Sequence, residues 1–425
     1  MKINVKDYVR LQTRKFPNVR YCLATLKRHL TQKNSVNHYL SDTRRVLNNI
    51  ELDVLPKKQA HPQGTLIEIT NACNLNCLMC NTKLSKRVLG LMSPEVFRRI
   101  IEELKTIGIS SGGLHTVGET FVYKDLETLL AIAEELDFRV WISTNAQFPE
   151  RIEPLYSRFP KVFNDIRISI DGATRETFER IRVGGSFDKV FETLEVIHKI
   201  NCEKINSRIG VTIDSVLNLD TLGESLHFFK TFKKYVFPES INFGVITGLS
   251  PDDEYFKSTF PFKNLIRPTV PCYMPFTNQY FTFDGQVTMC CRDYNGEITV
   301  GDIMDESAME IWDGPHAEVV RQQHIHPETL EIKACKNCFM PYDFVNPITN
   351  NFIHLVRIKL DKPLTFLNFA NAVLALWEGM DEAMGKRDIF ALRKFVARIF
   401  QEVDSGRFSF FCENNLKNSP KSMNQ

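Results

Sequence analysis

Polar and apolar residues alternate strictly through Asp165-Ile166-Arg167-Ile168-Ser169-Ile170-Asp171, which puts three isoleucines on one face of an extended chain and charged or hydroxyl groups on the other. Thr212 and Asp214 against Val211 and Ile213 repeat the pattern, as do Glu68 and Thr70 against Ile67 and Ile69. These segments predict strands over 65–69, 165–171 and 208–216, and further strands are expected at Leu114–Gly118, Phe138–Ser143 and Ile241–Thr247. Between them the apolar spacing turns helical. Ser93-Pro94 supplies an N-cap and a first-turn proline for a helix with the stripe Val96, Phe97, Ile100, Ile101 and Leu104, and a second helix is expected over Leu126–Leu136. Strand–helix repeats of this length predict a parallel sheet with right-handed crossovers. Strands buried on both faces would read as continuous apolar runs, so one face of this sheet must line a wet space. Six strand–helix units are too few for a closed eight-stranded barrel with an apolar filling. The fold class is therefore α/β, an open partial barrel of six βα units around a polar lumen.

The flanks read differently. Residues 1–62 carry helical spacing (Tyr8, Leu11, Val19, Cys22, Leu23, Leu26) interrupted at Pro17, and end in a polar linker from Pro56 to Pro62. Beyond residue 345 the helical stripe Ile389, Leu392, Phe395, Val396, Ile399, Phe400 marks a second helical extension, able to cover the barrel mouth, bind a partner or mediate dimerisation. The expected divisions are 1–62, a barrel over 63–250, a small α+β region over 251–345, and 346–425.

Composition narrows the class. A chain of 425 residues with 43% apolar content can bury a sizeable core, and its formal net charge is only +2 with no run of like charge. Neither a nucleic-acid groove nor a basic membrane anchor is indicated. The N-terminus lacks the apolar core of a signal peptide, and the most apolar tract, Leu364–Trp377, is too short to span a bilayer. Eleven cysteines without a secretion signal then read as metal ligands in a reducing cytoplasm.

Three of those cysteines, Cys73, Cys77 and Cys80, follow the first strand at a C-x3-C-x2-C spacing. Soft thiolates suit iron–sulfur clusters, and three on one short loop hold three irons of a 4Fe–4S cube, leaving the fourth iron open to a substrate or cofactor. The competing readings are a zinc loop, for which no fourth ligand lies nearby in sequence, and three buried thiols. The loop resembles the cluster motif of the radical S-adenosylmethionine (radical SAM) superfamily, in which the residue before the last cysteine is apolar or aromatic, here Met79.

That resemblance implies further contacts. Val117-Gly118-Glu119-Thr120 stands where the family carries a Gly-Gly-Glu-like segment whose backbone meets the methionyl amino group of SAM; one glycine is replaced by valine. Ser143-Thr144-Asn145 ends the third strand. Ser169-Ile170-Asp171-Gly172-Ala173-Thr174 with Arg182 resembles the fourth-strand segment of the branch with SPASM or twitch extensions. By resemblance Met79 offers its backbone to adenine, Ser169 and Asp171 hold the ribose or carboxylate, and Arg182 pairs with the carboxylate. The plainer alternatives are a helix cap at Ser169 and Asp171, and a surface role for Arg182 with Arg180 in its place.

A second constellation, Cys272, Cys290-Cys291 and Cys335-Lys336-Asn337-Cys338, brackets an Asp284-Gly285 hairpin signal and a helix around Met309–Trp312. It resembles the twitch/SPASM extension, which implies an auxiliary 4Fe–4S cluster on Cys272, Cys290, Cys335 and Cys338. A zinc site on the same four thiolates is the alternative. Cys291 is able to exchange with Cys290, to stand free as a hydrogen-atom donor, or simply to pack. Cys22, Cys202 and Cys412 read as structural thiols. His115 and Asp214 are candidate lumen-facing bases, or ordinary wall residues.

The resemblance implies a radical SAM enzyme: reductive cleavage of SAM to a 5′-deoxyadenosyl radical, then hydrogen abstraction from a C–H bond of a small polar substrate, as in oxidation of a carbinol. An electron donor such as a flavodoxin or ferredoxin is implied as partner. Maturation of a ribosomally made peptide is the alternative within the class, and a non-catalytic iron–sulfur scaffold or sensor the alternative outside it.

Overall fold

The computed structural model describes residues 32–50, 55–203, 209–247, 253–265, 271–326, 330–336, 338, 342–359 and 366–406. Cys22, Cys412 and the N-terminal apolar positions singled out above lie outside them.

Nine strands form one sheet: β1 (Gly64–Ile67), β2 (Ser111–Gly113), β3 (Arg139–Thr144), β4 (Phe163–Ser169), β5 (Gly210–Leu217), β6 (Ile241–Val245), β7 (Asn278–Phe281), β8 (Gln286–Thr288) and β9 (Thr299–Asp302). Their order is β6-β5-β4-β3-β2-β1-β7-β8-β9. Strands β1 to β6 pair in parallel, β7 adds in parallel to β1, and β8 and β9 continue as an antiparallel meander. Residues 278–302 thus extend the barrel sheet. Ile166, Ile168, Ile170 and Ile213 are fully buried in the helix-covered layer, while Asp165, Arg167 and Ser169 keep access to the other side. The helices Pro94–Thr106, Leu126–Glu135, Pro149–Arg158 and Phe187–Glu203 cover the outer face.

Two departures from the sequence pattern affect the site. β2 lies at Ser111–Gly113, before the expected Leu114–Gly118. Gly112 and Gly113 look like a turn in sequence, but they let the strand pass beneath large neighbours: a Cβ on Gly113 would lie 2.4 Å from the Trp141 ring. Leu114 N–H still reaches Trp141 O, after which the chain leaves the sheet towards Gly118. The segment read as a polar linker is also pinned. Gln59 N–H donates to Phe276 O, and Trp312 Nε1–H donates to Gln59 O.

The helices Gln32–Asn48 and Val345–Lys359 pack together against β6, joined by Asn351 Nδ2 donating to Asp42 Oδ2 and by Tyr39 stacked on His354 at 4.9 Å. Three side chains on one face of Val345–Lys359 answer the backbone of the edge strand: Asn346 Oδ1 accepts from Val245 N–H, Asn350 Oδ1 from Phe243 N–H, and His354 Nε2 meets Ile241 O. Val345–Lys359 thus covers the edge strand, a role that is none of the three expected of this extension from sequence. No helix of the described residues is long and apolar enough to cross a membrane.

Candidate functional site

The cysteine loop leaves the end of β1 and is held by backbone on both sides of Arg182: Asn76 N–H donates to Val183 O and Leu78 N–H to Ile181 O, each at 2.9 Å. Asn145, just beyond β3, fixes the loop by donating from Nδ2 to Asn74 Oδ1 at 2.9 Å, with Cys73 Sγ 3.8 Å away. Leu75 N–H also donates to Cys73 Sγ, and Cys80 Sγ lies 2.9 Å from Thr82 Oγ1.

Gly118 closes the opposite side of the loop. Its φ is +82°, and a Cβ there would sit 2.4 Å from Thr70 O and 2.8 Å from Ala72 O, so backbone meets backbone where only glycine fits. Glu119 N–H donates to Ala72 O. The Glu119 carboxylate, buried, accepts from Thr144 Oγ1, Asn145 N–H and Phe121 N–H. It ties the ends of β2 and β3 together. Burial raises its pKa against the pull of these three donors.

Asp171 is fully buried and committed within the protein. Its Oδ2 accepts from Arg182 Nε at 2.8 Å and Nη2 at 2.7 Å, and its Oδ1 accepts from Val216 N–H at 2.6 Å. Asp171, expected by resemblance to hold the ribose or carboxylate, thus fixes the position of Arg182 in this structure. Burial opposes the Arg182 charge, but Asp171, Cys77 and Cys80 beside it raise its pKa overall. Arg180 is excluded from that place: it is half exposed and pairs with Asp220. Thr174, not Ser169, caps the helix Arg175–Ile181.

These groups surround a cavity of about 470 Å³. Cys73, Cys77, Cys80, Met79, Gly118, Glu119, Asn145, Ser169, Asp171 and Arg182 all line it, as do His115 and Cys291. Asp214 does not: it sits lower on β5, held by Asn242 Nδ2 at 3.1 Å. Burial raises the Asp214 pKa. Burial and the nearby Arg167 push His115 down to about 4, so its ring is neutral near pH 7, and its buried Nε2 has no hydrogen-bond partner among the described residues. It packs edge-on to Trp141 at 4.8 Å, and the Arg167 guanidinium lies over the same indole at 4.2 Å.

The second cysteine set also converges. Cys338 influences Cys272, Cys290 and Cys335 electrostatically, and burial pushes Cys272 up to about 12 and Cys290 well above the ordinary thiol value. Cys77 is pushed up to about 11 in the same way. Thiols so placed stay protonated unless a cation compensates them, which is the behaviour of a site that loads with metal and releases protons. Among the described residues no three His, Cys, Asp or Glu side chains crowd together as ligands of one ion would. Soft thiolates in sets of three and four are the donors an iron–sulfur cluster takes, so each set fits a 4Fe–4S group by its chemistry. Cys290 Sγ accepts from Arg292 N–H, whereas Cys291 turns to the cavity with the Tyr280 hydroxyl on its sulfur. Cys202 is half-buried on its helix near His198.

Sequence reasoning missed Arg292, Thr247 and Asn346, which line the cavity too. Arg292 carries a legible signal, its place beside Cys291. Asn346 carries none, because it arrives from a helix a hundred residues beyond β6. Arg292 donates from Nη1 to Thr247 Oγ1. Its loop joins β8 to β9 at one end of the sheet, and Thr247 follows β6 at the other, so the sheet curls until its two ends face each other across the cavity.

Three thiols on a strand-end loop, a glycine cradle and a buried Asp–Arg pair thus meet at the mouth of a partial parallel barrel, with the donor set an iron–sulfur cluster takes. Comparison with known proteins names the class. The sequence profile of the radical SAM superfamily matches residues 67–229, and that of the SPASM iron–sulfur cluster-binding domain matches residues 272–339. The chain belongs to the radical SAM superfamily, and a 4Fe–4S cluster, SAM and auxiliary iron–sulfur binding are the cofactors that go with these two domains. Mycofactocin maturase MftC of Mycobacterium tuberculosis is 32% identical over 158 residues, 36% of this chain and 39% of the maturase, so the chain spans about two-fifths of that relative. An S-adenosylmethionine-dependent nucleotide dehydratase of Fibrobacter sp. is 24% identical over 317 residues, 71% of this chain and 83% of the relative. The structure of Streptococcus suis SuiB bound to its precursor peptide SuiA overlaps 71% of this chain and 74% of its own, with 13% identity and a TM-score of 0.48.

Proposed function

We propose that the protein is a radical SAM oxidoreductase that activates a C–H bond of a small polar substrate held in the barrel lumen. The observation that carries this reading is that one cavity is walled both by the thiols of Cys73, Cys77 and Cys80 and by Cys291 of the second cysteine set. With both groups bound, the first cluster and SAM supply a 5′-deoxyadenosyl radical and the auxiliary cluster supplies an electron acceptor. The chain's own residues bind and orient. Cys73, Cys77 and Cys80 hold the first cluster, and Cys272, Cys290, Cys335 and Cys338 the second. Arg182, locked by Asp171, offers its remaining N–H groups to the carboxylate of SAM, and the Gly118 cradle lets backbone approach its amino group. Met79 flanks the adenine and Ser169 the ribose.

Neutral His115 serves as a hydrogen-bond partner, while the Cys291 thiol is placed to give a hydrogen atom. Asp214, held by Asn242 below the cavity lining, takes no direct part on the substrate. An external one-electron donor, flavodoxin or ferredoxin in kind, completes the cycle. Peptide maturation is the second reading, favoured by the match to the mycofactocin maturase. The small-molecule reading is preferred because the nucleotide dehydratase aligns over 71% of this chain against 36% for the maturase.

Anaerobic reconstitution followed by iron and sulfide counting tests this. About eight irons per chain, and 5′-deoxyadenosine formed on adding reductant and SAM, are expected. Bound zinc, or about four irons without SAM cleavage, would refute it.

A further inference from the structure

Two guanidinium groups line the cavity, and their surroundings differ. Arg182 is matched by fully buried Asp171 at 2.7 Å, so its charge is balanced inside the protein. Arg292, half-buried, has no carboxylate within ion-pair distance among the described residues; its side-chain partner is the neutral hydroxyl of Thr247. Other shielded arginines here are matched in one of two ways: Arg87 forks onto Glu68 and Arg357 pairs with Glu239, while Arg151 and Arg393, without a carboxylate, each donate to three backbone carbonyls; Arg292 has neither arrangement among the described residues. A half-buried guanidinium keeps its charge at any accessible pH, and desolvating it without a counter-ion is costly. A cation so placed is therefore one whose counter-charge arrives with a ligand.

The direction of the group agrees. The backbone N–H of Arg292 points to Cys290 Sγ, so the main chain is spent on the second cysteine set, while the side chain crosses to Thr247 along the cavity wall. The bond to Thr247 leaves the other guanidinium N–H groups for a pair of anionic oxygens. The carboxylates on this wall offer it nothing, since Asp171 is taken by Arg182 and Val216, and Glu119 by its three donors.

We propose that Arg292 is the substrate anchor: it binds an anionic oxygen group of the substrate, a phosphoryl or carboxylate group, and so places the reacting C–H bond between the Cys73/Cys77/Cys80 loop and Cys291. This rests on the reading that the cavity takes a small polar substrate, and it adds that the substrate is an anion.

The test uses reconstituted, SAM-loaded holoenzyme in chloride buffer, titrated calorimetrically with inorganic phosphate and separately with acetate. Wild type binds at least one of them, and Arg292→Gln weakens that binding by about tenfold or more with its iron content retained. Phosphate bound about tenfold tighter than acetate assigns a phosphoryl group, and equal binding a carboxylate. Equal affinity in wild type and Arg292→Gln, or binding of neither anion to wild type, overturns the proposal. Should Arg292→Gln lose iron, Arg292→Lys carries the test: it keeps the charge but loses the fork, so phosphate binding falls several-fold, and unchanged affinity overturns it. Deoxyadenosine formation by wild type is read in parallel. Its absence would remove the proposed reaction while leaving an anion-binding result standing.

Discussion

Replacing Asp171 by asparagine should unsettle the site more than any single loss of a surface charge. Asp171 is fully buried, and its two oxygens take three donors, two from Arg182 and one from Val216. The amide of Asp171→Asn keeps one acceptor oxygen and turns an N–H towards groups that are themselves donors. Arg182, 9% exposed, is left as an uncompensated buried charge. Removing one partner of such a pair costs about 3–5 kcal/mol. Unfolding entropy of about 2.1 cal/mol/K per residue gives a chain of 425 residues about 0.9 kcal/mol/K, so the melting temperature should fall by about 3–6 °C. The assay is thermal unfolding of the reduced, metal-free protein at fixed scan rate, for wild type, Asp171→Asn, Arg182→Met and the double variant. The double variant should regain most of the loss, because it removes the orphaned charge together with its partner. An Asp171→Asn protein melting within about 1 °C of wild type would refute the reasoning. So would a double variant as unstable as the two single losses added.

Two further outcomes follow from the geometry. Because Cys290 faces Cys335 and Cys338 while Cys291 faces the cavity, Cys290→Ala should reduce reconstituted iron from about eight to about four per chain and Cys291→Ala should leave it near eight; the reverse result would exchange their roles. His354 is buried against Tyr39, Phe229 and Arg357, and burial followed by the Arg357 charge lowers its pKa from 6.5 to about 3. Between those values the unfolded chain takes up a proton that the folded one refuses. Stability should therefore be lost as pH falls from about 6.5 towards 3, with a slope of up to about 1.4 kcal/mol per pH unit from this group. Denaturant titrations at stepped pH should show a flatter acid limb in His354→Gln, and an unchanged limb would refute the assignment.

The partial barrel was legible because its signal is local. Period-two alternation on 165–171 and within 208–216 marks a sheet with one wet face, and a proline-led N-cap marks the helix Pro94–Thr106. β2 was displaced because Ser111-Gly112-Gly113 carries no side-chain pattern at all; its glycines answer to Trp141 and Thr65, which lie far off in sequence. The cysteine loops were legible by spacing, and their side chains meet in space. What spacing does not convey is which polar groups are already spent. Asp171 and Arg182 both read as ligands for a cofactor, and only the fold shows that one is the counter-ion of the other. Arg292 is the converse case: its place beside Cys291 is legible, but the want of a carboxylate partner shows only in the fold.

The same long-range logic makes the C-terminal helix part of the site. A parallel strand at the end of a sheet exposes a row of unpaired N–H and C=O groups, and β6 is such a strand. Asn346, Asn350 and His354 recur at every fourth residue, so they project from one face of Val345–Lys359 and satisfy successive groups along β6. With that edge occupied by side chains, the next strand has only the β1 edge to join, and β7 pairs there. That choice carries the second cysteine set onto the side of the sheet opposite β6, and curling then brings Arg292 against Thr247. The first of the three capping residues, Asn346, also lines the cavity. A helix that began in the sequence as an appendage therefore decides which strand follows which, and through that order, which side chains meet a substrate.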